Sequence, residues 1–284
     1  MTVQIGMLCD RIRPDERMVI DAAKRKDVDL KVHNVDELVF DVTKDLGTKF
    51  ENVILQRVMS YFKSMHVTAL LENSGIKVVN SFNAALVCGN KLLTSIALSK
   101  AGVPTPKTVV AFTDDSAVKA LDKVGYPAIL KPVVGSWGRL IAPLKDLDST
   151  RAILETREYM FPLYQVFYIQ EMIQNLLRDI RCFVIGDRAV AAIYRYSAPG
   201  EWRTNVARGG RAETCPITSE LEELCVKATK AVGGGAFGVD MMETPNGLVV
   251  HEVNYTTEFK ATTESTGVDI PSLMLDYLID MVRR

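Results

Sequence analysis

Short apolar runs alternate with amphipathic segments over the first third of the chain. Three apolar, β-branched runs predict buried strands at residues 3–8, 52–56 and 77–80. The segments between them predict helices over residues 14–23, with proline and acids in the first turn, and over residues 64–73. Strands that alternate with helices favour an open α/β layer for this part of the molecule.

The alternation continues beyond a boundary near residues 81–89. An amphipathic helix is predicted over residues 91–100, because Gly102 and two prolines follow it. Ser219 is expected to cap a second helix that reaches Val232. The remaining predicted elements are strands at residues 126–131, 167–173, 179–186 and 189–195, and a closing helix over residues 270–282.

Residues 238–254 are apolar on both flanks and are broken once by Pro-Asn-Gly, which predicts a β-hairpin. A turn centred on Asn246 would place Asp240 opposite Glu252, with Asn254 on the same face, whereas a two-residue Asn-Gly turn would shift the pairing by one residue. Opposed carboxylates repel each other, and hard oxygen ligands suit Mg²⁺ or Mn²⁺ that carries phosphates. The alternative is a hairpin whose acidic face is merely solvated.

Two isolated lysines and a glycine-punctuated loop indicate an anion site. Lys91 opens the predicted 91–100 helix, where a cation is mildly unfavourable, and Lys131 ends a strand. The glycines of the following loop, residues 133–141, allow backbone amides to approach an anion, and Ser136 and Arg139 add donors. The loop is neither a Walker loop nor a dinucleotide fingerprint. A surface lysine and an ordinary hairpin loop are the alternatives.

Arginine is concentrated between Arg178 and Arg211, where seven arginines accompany only three acids. This span is either an exposed sheet face or a cleft that binds phosphate and carboxylate through forked hydrogen bonds. Within it, residues 201–210 predict a polar loop long enough to cover a site. Arg57 and Lys63 follow a predicted strand, so they either face a ligand at its carboxyl end or are solvated surface.

Composition adds few constraints. A content of 48% hydrophobic and 24% charged residues is ordinary for a soluble protein, and the net charge of −1 indicates neither a nucleic-acid nor a membrane partner. No apolar run approaches the roughly 20 residues of a membrane helix, and the N-terminus resembles a strand more than a signal peptide, so a cytoplasmic location is expected. Five scattered cysteines and three histidines suggest buried free thiols and neither disulfides nor a zinc site.

The order of these motifs resembles the ATP-grasp fold over the whole chain. Gly-Ser-Trp-Gly-Arg, Asp-Ile-Arg, Trp-Arg-Thr-Asn, Ala-Arg-Gly-Gly and Glu-Val-Asn-Tyr-Thr-Thr-Glu-Phe-Lys resemble the branch related to the ribosomal-protein S6 glutamate ligase. The resemblance implies an α/β protein with α+β lobes. Its parts would be an N-terminal open α/β pre-ATP-grasp domain at residues 1–87, a central ATP-grasp lobe with the glycine loop at 88–168, and a C-terminal lobe with the metal hairpin at 169–284.

The resemblance also implies roles for individual residues. Arg203 would be catalytic, because it would stabilise developing negative charge. ATP would be bound by Lys91, Lys131, Gly135, Ser136, Trp137, Gly138, Arg139, Gln170, Glu171, Met172, Ile173, Asp179, Arg181 and Asn205. Two Mg²⁺ ions, or Mn²⁺, would be held by Asp240, Glu252 and Asn254. The substrate would be bound by Arg195, Thr204, Asn205, Glu258, Phe259, Lys260, Ala261 and Thr262.

The implied reaction is ATP-dependent carboxylate–amine ligation. The C-terminal glutamate γ-carboxylate of a small acidic carrier protein, LysW, would take the γ-phosphoryl of ATP, and the α-amine of α-aminoadipate would attack the acyl phosphate. The resemblance further implies a homodimer or homotetramer. The alternatives are the same chemistry with glutamate, glutamate ligation to a ribosomal protein tail, and a nucleotide-binding module without enzymatic activity.

The amino-acid preference depends on Ala261 and Thr262. In lysine-branch relatives, Glu-Phe-Lys precedes Asn and then Thr or Ser, whereas glutamate-using relatives have Gly-Phe there. The hydroxyl of Thr262 can hydrogen-bond the distal carboxylate of α-aminoadipate, whereas phenylalanine would shorten the pocket. One methylene is worth only about 1–3 kcal/mol, so some use of glutamate is expected. The alternative is a neutral loop variation that accepts either amino acid.

Overall fold

The computed structural model describes residues 4–44, 50–173, 178–200, 204 and 210–283. Its first sheet is entirely parallel, in the order β2-β1-β3-β4. The strands are β1 (Gln4–Cys9), β2 (Asp29–Asn34), β3 (Val53–Gln56) and β4 (Lys77–Val79). The helices are α1 (Pro14–Arg25), α2 (Tyr61–Asn73) and α3 (Phe82–Cys88), with a 3-10 turn at Val35–Glu37. The predicted open α/β layer is therefore confirmed.

A second, antiparallel sheet follows the helix α4 (Lys91–Lys100), in the order β5-β8-β6-β7. Its strands are β5 (Thr108–Ala111), β6 (Ala128–Lys131), β7 (Ala142–Leu144) and β8 (Phe167–Glu171). The helices α5 (Asp114–Val124) and α6 (Leu147–Glu158) belong to this lobe, and a 3-10 turn lies at Pro162–Gln165. The glycine loop joins β6 to β7, as predicted.

The third sheet is also antiparallel, in the order β11-β10-β9-β12-β13. Its strands are β9 (Arg178–Ile185), β10 (Arg188–Tyr196), β11 (Arg211–Thr214), β12 (Ala236–Thr244) and β13 (Gly247–Asn254). The helices are α7 (Ser219–Ala231), α8 (Lys260–Thr266) and α9 (Ile270–Arg283).

Two predicted helix starts are wrong by a few residues. Helix α2 begins three residues before Ser64, because the side chain of Ser60 accepts a hydrogen bond from the Lys63 amide and caps it. The cap of α7 is Thr218, which accepts from the Leu221 amide, so Ser219 is the first helical residue.

The hairpin β12–β13 forms the predicted cross-strand pairs, but its turn differs from the predicted one. Asp240 lies opposite Glu252 and Gly238 opposite Asn254. The turn itself is one residue tighter than expected, because Thr244 pairs with Gly247, and a bulge beside Asp240 restores the register. Both carboxylates therefore lie on one face of the sheet.

The first lobe is fixed rigidly against the hairpin. One core cluster combines side chains of β1, α1, β9 and α9. Asn80 is buried and donates hydrogen bonds of 2.6 Å to the carbonyl oxygens of Ala236 and Tyr255, and it accepts from the Ala236 amide at 2.8 Å. These contacts fix the position of the first lobe relative to the hairpin. Over the described part of the chain, no helix has the length and apolar character to cross a bilayer.

Candidate active site

A cleft of about 940 Å³ lies where the three sheets meet. Most of the predicted site residues line it, although they come from all three parts of the chain. Those that line it are Lys91, Lys131, Gly135, Ser136, Trp137, Gly138, Arg139, Gln170, Glu171, Met172, Ile173, Asp179, Arg181, Arg195, Thr204, Asp240, Glu252, Asn254, Glu258, Lys260, Ala261 and Thr262.

One predicted residue that the structure describes does not line this cleft. Phe259 is fully buried, and its ring packs edge-on against Phe183, with 5.8 Å between ring centroids. Its side chain therefore belongs to the core, and the expectation that it contacts a substrate is not met. Arg203 and Asn205 lie outside the described residues.

The acidic face of the hairpin is neutralised by arginines of the neighbouring strands. Arg181 binds both oxygens of Asp240 at 2.7 and 2.6 Å, and Arg195 approaches the same carboxylate at 3.1 Å. Burial raises the pKa of Asp240, but the two guanidinium groups outweigh burial and hold the pKa well below its ordinary value. Asp240 is therefore a carboxylate at every physiological pH.

Glu252 pairs with a lysine of a different element. The Lys91 ammonium donates to Glu252 Oε1 at 2.8 Å and to the carbonyl oxygen of Gly135 at 2.9 Å. Burial and the nearby Asp240 raise the pKa of Glu252, while Lys91 lowers it, and the net direction is down. Lys91 thereby connects helix α4, the glycine loop and the hairpin at one point.

The donor set fits a hard divalent cation. Asp240, Glu252 and Asn254 lie on one face of two paired strands, and the side-chain amide nitrogen of Asn254 donates to Asp240 Oδ2 at 3.3 Å. Among the described residues, no group of three or more His, Cys, Asp and Glu side chains is placed to hold a metal ion. A metal here would depend on two carboxylates, one amide oxygen and the oxygens of a bound phosphate, as Mg²⁺ usually does.

Lys131 is held in a buried polar network. Its ammonium donates to Gln170 Oε1 at 2.6 Å, and Gln170 in turn donates to Thr108 Oγ1 and Tyr168 Oη at 2.9 and 3.0 Å. Burial lowers the pKa of Lys131 to about 8, and Lys91 contributes in the same direction. In this structure the Gln170 side chain thus orients a lysine.

The glycine loop has left-handed backbone at a glycine and also at two larger residues. Gly138 has a φ of +63°, and Trp137 and Leu140 also lie in the left-handed region at +56° each. The guanidinium carbon of Arg139 stacks 4.9 Å from the Trp137 ring centroid. The indole and guanidinium therefore form one wall of the cleft.

The arginine-rich strands form an ion-pair network more than a free positive surface. Arg195 is buried and donates to both oxygens of Asp179 at 2.7 and 2.6 Å, while Thr204 Oγ1 donates to Asp179 at 2.5 Å. Arg178 binds Glu243 with two hydrogen bonds of 2.8 Å. Asp240 and Glu243, which lie on β12 outside the Arg178–Arg211 span, supply negative charge that the count within that span leaves out.

Comparison with known proteins agrees with this architecture. The sequence profile of the RimK-like ATP-grasp domain matches residues 88–278, and that of the LysX preATP-grasp domain matches residues 5–87. The chain belongs to the RimK-like ATP-grasp family.

Two curated relatives of this RimK-like protein come from Sulfurisphaera tokodaii. The α-aminoadipate–LysW ligase LysX is 34% identical over 99% of each chain. The glutamate–LysW ligase ArgX is 33% identical over 97% of this chain and 98% of the relative. The solved structure of a RimK domain ATP-grasp protein from Sphaerobacter thermophilus has a TM-score of 0.79 and 23% identity, and it covers 97% of this chain and 99% of the other.

His251 and Arg13 are among the cleft residues that sequence reasoning missed. His251 lines the cleft beside the bulge, and its buried Nε2 has no hydrogen-bond partner among the described residues; burial and Lys131 lower its pKa. The bulge that places His251 cannot be recognised from the alternation of polar and apolar residues in the sequence.

Arg13 also lines the cleft. Its position just beyond the carboxyl end of β1 is the signal that could have found it, because ligands bind at that edge of parallel sheets.

Proposed function

We propose that this protein is an ATP-dependent ligase that joins the α-amino group of α-aminoadipate to the C-terminal glutamate of a LysW-type carrier protein. The observation that carries the proposal is the convergence of Lys91, Lys131 and the Asp240–Glu252 pair in one cleft. Phosphate-binding cations and oxygen ligands for Mg²⁺ thereby lie side by side. The LysX and ArgX relatives, which match this chain over nearly its whole length, support the class of reaction.

The phosphate end of the cleft fits Mg²⁺–ATP. Lys91 and Lys131 would bind phosphate oxygens, the glycine loop would cover them, and residues 170–173 would hold the adenine. Mg²⁺, bound by Asp240, Glu252 and Asn254, would neutralise charge on the phosphates; two ions, or Mn²⁺ in their place, are part of this proposal. The side chains that now pair with these carboxylates, Lys91 and Arg181, would then be available to phosphate.

Ligation requires activation of a carboxylate. The γ-carboxylate of the carrier's terminal glutamate attacks the γ-phosphorus of ATP, which releases ADP and forms an acyl phosphate. The α-amine of the amino acid then attacks the acyl carbon, loses a proton, and displaces phosphate. Arg203 would stabilise the negative charge of both steps, and a removed donor of this kind typically costs about 100-fold to 1000-fold in rate. The covering loops would exclude water from the acyl phosphate.

The substrate end of the cleft is built around helix α8. The side chain of Asp15 accepts hydrogen bonds from the amides of Phe259 and Lys260 at 2.6 and 3.0 Å, which fixes the start of the helix against the first lobe. Thr262 follows within the helix, is 1% exposed and lines the cleft. A hydroxyl at this depth suits the distal carboxylate of α-aminoadipate.

Glutamate is the second candidate substrate. The ArgX relative, named for glutamate, is as similar in identity and coverage as the LysX relative, so overall identity does not separate the two. Ala261 and Thr262 favour α-aminoadipate, because they leave room for the additional methylene that a bulky residue would fill.

The test is ADP release by the purified protein with ATP, Mg²⁺, a LysW-type carrier and one amino acid. We expect release with the intact carrier and none with a carrier that lacks its terminal glutamate. Hydroxylamine in place of the amino acid should trap the acyl phosphate as a hydroxamate on the carrier. ADP release that is independent of the carrier's terminal glutamate would refute the proposal.

A further inference from the structure

A chain of alternating charges runs from the core of the first lobe to the substrate end of the cleft. Arg57 is buried and donates to Glu16 Oε1 at 2.8 Å. Arg13 donates to the same oxygen at 2.7 Å and to Glu16 Oε2 at 2.9 Å. From its other terminal nitrogen, Arg13 reaches Glu258 at 3.3 Å. We name these four residues the charge ladder.

The ladder leaves a cation facing the cleft. Glu16 has no exposed side-chain surface and is shared by two guanidinium groups, so these three residues together carry one net positive charge. Arg57 Nη2 is buried with no hydrogen-bond partner among the described residues, so the shared carboxylate does not saturate the two arginines. The carboxylates of Asp15 and Glu258 both attract the positive charge of Arg13, and Glu258, which pairs with Arg13 directly, is 44% exposed. An exposed pair of this kind contributes little stability.

Arg13 is nevertheless held in one orientation. Its two hydrogen bonds to Glu16 fix the plane of the guanidinium, and its side chain is only 11% exposed. Arg57 also donates to the carbonyl oxygen of Thr257 at 2.8 Å, which anchors the backbone just before Glu258. A cation and an anion are thus presented side by side at the cleft wall by groups fixed in the core.

We infer that Arg13 binds the α-carboxylate and Glu258 the α-amino group of the amino acid that is ligated. An adjacent cation and anion match the two groups on an amino acid's α-carbon. The carrier's terminal glutamate offers no free amine and would leave Glu258 facing a second carboxylate. Arg195 is less suited to this task, because two of its nitrogens are committed to Asp179 and Asp240. This inference rests on the proposed ligase function.

The experiment compares three amines as acceptors in the carrier-dependent ADP assay. They are α-aminoadipate, 5-aminopentanoate, which lacks the α-carboxylate, and 2-aminopentanoate, which lacks the distal carboxylate. In Arg13→Met we expect kcat/KM for α-aminoadipate to fall about 100-fold, mainly through KM. The reason is that the bound α-carboxylate loses its cationic partner. The value for 5-aminopentanoate should hardly change, since that amine has no group for Arg13 to bind.

Two further variants separate binding from folding. Arg17→Met removes the same charge one turn along α1 from an exposed position and should leave all three amines unaffected. Arg13→Lys keeps the cation, so it should recover part of the preference for α-aminoadipate, and it replaces Arg13→Met if that variant does not fold. An unchanged KM for ATP and for the carrier in either Arg13 variant shows that the rest of the cleft is intact.

The outcomes are distinct. If the Arg13 variants lose the preference over 5-aminopentanoate and keep that over 2-aminopentanoate, the inference is supported. If they lose the preference over 2-aminopentanoate instead, Arg13 binds the distal carboxylate and the inference is wrong; a change in the KM of the carrier alone also overturns it. An inactive wild-type protein with both α-aminoadipate and glutamate would refute the proposed function itself. If glutamate is the substrate, 4-aminobutyrate and 2-aminobutyrate are the matching probes.

Discussion

Replacing Lys131 by methionine is expected to stabilise the free protein and to weaken ATP binding at the same time. The pKa of about 8, against an ordinary 10.5, means that a charged ammonium at this buried position costs on the order of 3 kcal/mol at neutral pH. Methionine removes that cost. It also leaves Gln170 Oε1 without its 2.6 Å donor, which costs about 1–2 kcal/mol. The net expectation is a gain of about 1–2 kcal/mol in the free energy of unfolding.

The pH dependence of stability provides a second readout for Lys131. Between pH 8 and 10.5 the unfolded chain binds more protons at this lysine than the folded chain does. The free energy of unfolding of the wild type should therefore rise as pH rises through this window. Lys131→Met should lack this contribution, so the advantage of the variant should be present below pH 8 and lost by about pH 10.5.

Urea unfolding with and without Mg²⁺–ATP measures both effects. A ligand at 100 times its Kd adds about 2.7 kcal/mol to the stability of the protein that binds it. The wild type should show that gain, and Lys131→Met should show much less of it. Lys91→Met is the matched control, since it removes the 2.8 Å partner of Glu252 and should destabilise the free protein. A Lys131→Met variant that is less stable than the wild type and equally stabilised by ATP would refute this reasoning.

The metal hairpin, the ion pairs and the acidic character expected of the carrier lead to three more predictions. Asp240→Asn should abolish ADP release with the fold retained, and turnover with normal Mg²⁺ dependence would contradict the metal assignment. Glu16→Gln should lower the free energy of unfolding by about 3–5 kcal/mol, because it leaves the buried Arg57 without its carboxylate partner. Arg25→Ala, at the exposed pair with Asp269, should lower it by less than about 1 kcal/mol. Equal losses of the two variants in urea unfolding would count against this ranking. The Kd for the carrier, measured by titration, should increase from low to high salt, and a constant Kd would exclude electrostatic docking.

The hairpin shows how far alternation of side chains can predict a site. Strand periodicity puts Asp240 and Glu252 on one face only if they are cross-strand partners, and a register shifted by one residue would have put them on opposite faces. The bulge depends on how β12 pairs with β9 as well as with β13, and no local pattern records that three-strand arrangement. The cross-strand pairs were therefore predicted correctly, but they form only because the bulge offsets the tight turn, and neither the bulge nor the position of His251 was predictable.

Residue types predicted the cleft better than they predicted individual contacts. Phe259 lies next to Glu258 in sequence and was grouped with the substrate residues, yet packing against Phe183 takes its ring into the core. Arg57 was expected at a ligand or at the surface, but a buried carboxylate on α1 holds it. Such ion pairs join residues far apart in the chain, so a count of local charges overestimated the free positive surface.

The intact mass of the carrier tests the central claim most directly. After incubation of the LysW-type carrier with this protein, ATP, Mg²⁺ and equal concentrations of α-aminoadipate and glutamate, the carrier should gain the mass of one α-aminoadipate residue, located at its terminal glutamate. Omission of ATP should abolish the gain. A carrier of unchanged mass with both amino acids would contradict the ligase assignment. A glutamate adduct that forms as fast as, or faster than, the α-aminoadipate adduct would contradict the assigned substrate.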